Sequence, residues 1–139
     1  MLTFQQFLDK WNGQYCEYSD PANRYQCQDL MRQYVQDVLG LPQSALPGAL
    51  YAKDVFNNYK GTAFRKVYKN PLNFPPNGAL VFWKYYPFVV GWAGHVGINV
   101  GDGASIYNFI SFDQNYPTRT ACHRQLHSYK GVMGWLIKA

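Results

Sequence analysis

Apolar positions recur at helical spacing near the start of the chain and at strand spacing towards its end. Phe4, Phe7, Leu8 and Trp11 fall on one face of a helix over 4–11, and Thr3 precedes Gln6 in the pattern of a capping box. The stretch 12–24 is polar and carries Gly13, Asp20, Pro21 and Asn23, so it reads as a loop. A longer helix is predicted over 25–39. Leu30, Tyr34 and Val38 share a face there, with Met31 and Val35 beside them. Asp29 stands in its first turn, where a negative charge suits the helix dipole, and Gly40 with Pro42 ends it. Val55, Phe56 and Tyr59 predict a shorter helix over 52–59.

Beyond residue 70 the signals change to β. Pro75-Pro76-Asn77-Gly78 is a turn, 79–83 is a short apolar strand, and 84–94 is an aromatic, glycine-containing loop. Strands over 95–100 and 105–112 flank Gly101-Asp102-Gly103 as a hairpin, and 132–137 is a closing strand. Helices first and antiparallel strands afterwards predict an α+β domain. Its N-terminal helices pack on an antiparallel sheet of about five or six strands. The length, 139 residues, suits one domain over 1–139, and 47% apolar residues suffice for a core that needs no disulfides.

Aromatic residues make up 18% of the chain, more than one core readily hides, so some rings are expected to line a groove. The net charge of +5 favours anionic partners. The 13 Lys and Arg are scattered and form no stripe, which argues against nucleic acid. The three cysteines, Cys16, Cys27 and Cys122, are a poor disulfide framework. MLTFQQFLDKWNG lacks the basic and apolar regions of a signal peptide, and no stretch has the length of a membrane span. The expectation is a monomer made in a reducing cytoplasm, where a free thiol persists, with no membrane insertion.

Cys27 opens the predicted long helix, within Tyr25-Gln26-Cys27-Gln28-Asp29-Leu30. The positive end of the dipole and unpaired backbone N–H groups there favour a thiolate and can hold an oxyanion. A buried structural thiol is the alternative, against which the polar neighbours Gln26, Gln28 and Asp29 argue. In Gly94-His95-Val96-Gly97-Ile98-Asn99-Val100, strand alternation puts His95, Gly97 and Asn99 on one face and the aliphatic residues on the other. The glycines leave space around the ring that a substrate backbone could enter; a hydrogen-bonded strand histidine is the bland reading. Asp113 and Asn115 point the same way, with Gln114 opposite, and one of the two could fix the imidazole tautomer. Turn chemistry before Pro117 is the alternative.

For Asp113 to share a face with His95, the connection near 101–105 must hold three residues or a bulge. A two-residue turn would put the acid on the wrong side. Cys, His, then acid or amide is the order of papain-like hydrolases, whose chemistry needs all three roles. A zinc reading built on Cys122, His123 and His127 has helical i, i+4 spacing but lacks a fourth ligand.

These segments resemble the CHAP family, the cysteine, histidine-dependent amidohydrolase/peptidase domains of phage endolysins and bacterial autolysins. Tyr25-Gln26-Cys27-Gln28-Asp29-Leu30 is similar to the family's nucleophile segment. Pro76-Asn77-Gly78-Ala79-Leu80-Val81-Phe82-Trp83 is similar to its apolar strand, and Gly94-His95-Val96-Gly97-Ile98 to its histidine strand. Phe112-Asp113-Gln114-Asn115 is similar to its acid-Gln-Asn segment, and the 129–137 stretch to its closing strand.

The resemblance implies a papain-like/CHAP fold and hydrolysis of a peptidoglycan amide bond. The bond is muramoyl-L-alanine or one within the stem or cross-bridge peptide. Cys27 is then the nucleophile, His95 the general base, and Asp113 and Asn115 the orienting pair. Asp113 stands where the family usually has Glu, and Ala79 where many members have Asp. Gln26 and Tyr25 flank the oxyanion position. Trp83 and Trp92, with Tyr85, Tyr86 and Phe88, are the candidate groove wall; a lid over the core is the alternative. No cofactor is required for the chemistry. Some phage members bind calcium in the loop before the nucleophile, which here carries Glu17, Asp20 and, past Cys27, Asp29, although Tyr18 stands where Asp is common. The implied place of action is the cell wall. The competing class is a catalytically degenerate wall-binding module of the same fold.

Overall fold

The computed structural model describes residues 1–18, 26–101 and 104–139. Helix α1 spans Phe4–Trp11 as the apolar spacing predicts. Both bonds of its capping box are formed: Thr3 Oγ1 accepts the Gln6 N–H at 3.1 Å, and Gln6 Oε1 accepts the Thr3 N–H at 2.9 Å. Helix α2, Cys27–Asp37, is shorter at both ends than expected and buries Leu30, Met31, Tyr34 and Val35. Gly40 follows it at φ 64°, a left-handed conformation that glycine adopts without strain. A 3-10 turn, Gln43–Ala45, and helix α3, Ala52–Asn58, complete the helical half.

Six strands follow: β1 (Phe64–Tyr68), β2 (Leu80–Trp83), β3 (His95–Asn99), β4 (Asn108–Asp113), β5 (His123–Ser128) and β6 (Val132–Lys138). They form one antiparallel sheet in the order β1-β6-β2-β3-β4-β5. The two edge strands, β1 and β5, are the ones the sequence pattern does not announce. FRKVY and HRQLHS carry charged and polar residues because an edge faces water and must resist pairing with other chains.

Register divides the side chains between two faces. Leu80, Phe82, Val96, Ile98, Phe112 and Leu136 pack with the buried residues of the three helices in the main core. On the other face Val81, Trp83, Phe109 and Trp135 form a second, aromatic core. His95 pairs with Trp83 and lies on this second face. That face is not the open surface that alternation suggests, for His95 is buried within it.

The pairs Ile98↔Phe112 and Asn99↔Ser111 set Asp113 on the His95 face, as the parity condition requires. The connection is longer than the three residues expected, however: β3 ends at Asn99 and β4 begins at Asn108. Ser105 turns the chain there, its Oγ accepting the Tyr107 and Asn108 N–H groups at 3.2 and 3.1 Å. Asp102 and Gly103, the expected hairpin tip, lie outside the described residues.

Candidate active site

Cys27 is the first residue of α2, half-buried, with a free thiol. What holds that helix end in place is Gln114, fully buried beyond β4. Its Nε2 donates to the Cys16 carbonyl at 2.7 Å and the Gln26 carbonyl at 2.8 Å, and its Oε1 accepts the Cys16 N–H at 2.6 Å. One side chain thereby ties the end of a strand to the loop before α2 and to the residue preceding Cys27. Asp29 secures the same turn by accepting the Gln26 N–H at 2.8 Å. Cys16 and Cys122 pack around Gln114, and burial pushes both thiols up to about 12. Of the three cysteines, only Cys27 lines a cleft.

His95 opens β3 and faces that cleft beside Cys27. Its Nε2 lies 3.2 Å from Asp113 Oδ1, within ion-pair reach though off the ideal hydrogen-bond direction. Burial works against a charged ring, but Asp113 and then Cys27 favour it, and its pKa rises from 6.5 to about 10. Asp113 has no exposed surface. Burial would raise its pKa, yet His95 and His127 hold the carboxyl well below its ordinary value. Ser111 Oγ donates to Asp113 Oδ1 at 2.7 Å, and His127 Nε2 meets Oδ2 at 2.5 Å. Gly97 makes room for this arrangement: a Cβ there would overlap Ser111 Oγ and Asp113 Oδ1. On the Gly97 side, the space beside His95 is therefore filled by Ser111 and Asp113, and the ring is open only towards the cleft.

Other expected site residues lie elsewhere. The Asn115 amide faces Gln26 Oε1 at 3.3 Å and accepts the Arg119 N–H at 2.7 Å, so of the two expected orienting residues it is Asp113 that faces the His95 ring. Asn115 has φ 60°, which turns it out of the strand alternation. Trp83 is sealed behind the histidines, its ring centroid 5.0 Å from that of His95 and 4.7 Å from that of His127, so it walls no groove. Trp92 is exposed, packed edge-on against Tyr51 at 4.5 Å, with the Lys53 ammonium 4.2 Å from its ring. Tyr85 and Phe88 project into solvent.

Tyr25 and Asp20 lie outside the described residues. Of the other two candidate calcium ligands, Asp29 holds the Gln26 N–H and Glu17 sits half-buried before α2. The zinc reading fails on geometry: β5 is a strand, where positions four apart are about 13 Å apart. Cys122 is sealed against Gln114, its Sγ 3.3 Å from Oε1. His127, read from the sequence only as a candidate zinc ligand, lies instead beside Asp113, a place the spacing does not reveal. Its pairing opposite Phe109 puts it on the Asp113 face, and only the location of an unpredicted edge strand could reveal that. His95, Asp113 and His127 bring potential metal-ligand atoms within 4.8 Å of one another. The 2.5 Å His127–Asp113 contact is closer than two ligands of one ion approach, so the group fits a shared proton better than a metal.

The cleft has a volume of about 770 Å³, and Gln26, Cys27, His95, Asn115, Arg32 and Tyr51 are among its lining residues. Its far wall, 43–52, is pinned to α2. Gln28 Nε2 donates to the Ala49 and Leu50 carbonyls at 3.2 and 3.3 Å, and Arg32 Nη2 donates to Pro47 at 2.7 Å.

No family model and no curated protein sequence matches the chain. Among solved structures it is similar to the wild-type endolysin LysIME-EF1, with a TM-score of 0.75 and 20% identity over 99% of this chain. The chain has an endolysin-like fold. The match spans 65% of LysIME-EF1. A second similar structure, Ly7917, has a TM-score of 0.64 and 15% identity, covering 95% of this chain and 60% of that one. In this endolysin-like fold the six-stranded antiparallel sheet and three helices bear out the α+β expectation.

Proposed function

We propose that this chain is a CHAP-type cysteine hydrolase that cuts an amide bond of bacterial peptidoglycan. The observation that carries the reading is a half-buried thiol at a helix N-terminus, in one cleft with an imidazole that faces a buried carboxylate at 3.2 Å. The Cys27 thiolate attacks the scissile carbonyl, and the backbone N–H groups at the start of α2 stabilise the oxyanion. The His95 imidazolium protonates the leaving amine as the thioester forms. His95, now neutral, takes a proton from water as it attacks the acyl-enzyme, which releases the carboxylic acid and restores the Cys27 thiolate beside the His95 imidazolium. Asp113 keeps the ring oriented throughout. Peptidoglycan as substrate draws on the likeness to an endolysin and on the net charge of +5, which suits an anionic wall. Among the described residues no helix is long and apolar enough to cross a membrane.

The test is digestion of purified cell walls, with the new termini read by mass spectrometry and Cys27→Ala run in parallel. New N-terminal L-alanine marks an amidase, and any other new amine an endopeptidase. The reading fails if the Cys27→Ala protein releases the same termini at the wild-type rate.

A further inference from the structure

Asp113 serves two imidazoles. Its Oδ1 faces His95 at 3.2 Å and receives the Ser111 hydroxyl at 2.7 Å, while its Oδ2 meets His127 Nε2 at 2.5 Å. His127 is itself buried. It is packed by Trp83 of β2, Phe109 of β4 and Tyr116, with ring centroids 4.7, 5.7 and 4.8 Å away, and the His95 ring lies 6.2 Å off. Among the described residues the titratable groups around it are Asp113, His95 and Tyr116; on the same face of β5, His123 stands opposite Asp113 and Gln125 lies between the two histidines. Bulky rings on several sides leave His127 little rotamer freedom, and its contact to Oδ2 fixes which oxygen Asp113 turns towards His95.

We propose that His127 is a positioning residue of this site, setting the orientation of the Asp113 carboxylate so that its charge is aimed at His95. The inference rests on the reading of Cys27 and His95 as nucleophile and base. His127 does not line the cleft and reaches the site through Asp113. A carboxylate as short as Asp, held by one hydroxyl alone, can swing in its pocket. Held also on Oδ2, it cannot turn without breaking a contact.

The experiment compares His127→Leu with His127→Gln. The Gln amide reaches the Nε2 position and donates to Oδ2, whereas Leu fills the space without donating. For H127L, kcat on purified cell walls is expected to fall on the order of 100-fold with KM little changed. The alkaline limb of the profile should move down by roughly one pH unit, because the carboxylate no longer supports the His95 proton. The pH profile of Cys27 alkylation by iodoacetamide should shift in parallel, and H127Q should recover most of both effects. Equal losses in H127L and H127Q with unmoved pH profiles would leave His127 a core residue only and overturn the inference, as would a fully active H127L. Should H127L not fold, H127Q against H127N gives the same contrast, since the Asn amide stops short of Oδ2. The alkylation profile needs no cell wall. A His127-dependent profile in a protein that leaves walls intact would uphold this inference and reject the peptidoglycan reading.

Discussion

Each oxygen of Asp113 has a donor, and the nearest threat to that arrangement is one methyl group. A Cβ at position 97 would overlap Asp113 Oδ1 and Ser111 Oγ. Gly97→Ala is therefore expected to push the carboxylate away from His95 and to lower the proposed wall-cleaving activity about 100-fold, with little change in the helices. Paired kinetic and circular-dichroism measurements check this, and a near-wild-type rate would show that the pocket yields. At this scale the sequence is readable where chemistry is local. Cys27 at a helix start, His95 on a strand and Asp113 at the next strand's end all follow from spacing. Asn115 does not, because a left-handed backbone at that residue reverses the alternation on which its expected role depends.

Among the elements, α2 and the end of β4 are coupled through Gln114. Its amide is the buried partner of the Cys16 N–H and of the Cys16 and Gln26 carbonyls. Gln114→Leu strands these groups and is expected to cost roughly 3 kcal/mol, read from denaturant unfolding. The Arg32 contact to the 43–52 wall is more exposed. Arg32→Ala should cost nearer 1 kcal/mol by the same measurement while loosening the cleft. The helices and central strands were legible because each carries an apolar face of regular period. The edge strands were not, since β5 alternates between solvent and a polar site, and no apolar pattern marks it. That gap in the pattern is what hid the position of His127 beside Asp113.

At the scale of the molecule, the buried ion pair links folding to pH. The Asp113 carboxyl lies well below its ordinary 3.8, so its stabilisation is full above that value and is lost as pH falls from there through the lowered folded value. The His95 pKa is raised from 6.5 to about 10, so its stabilisation is full below 6.5 and disappears as pH rises through about 10. The stability difference between wild type and Asp113→Asn should therefore plateau between about pH 4 and 6.5 and shrink on both sides. Thermal unfolding across that range tests the shape; a difference that does not vary with pH would mean the pair is not ionised.

The two sealed sulfurs around Gln114 have a practical consequence. A small thiol-directed electrophile added to the native protein has one accessible thiol, in the cleft wall, and two more appear only once the fold is lost. A stoichiometric label on that target counts the competent molecules in a preparation, and the later uptake of two further equivalents times their unfolding.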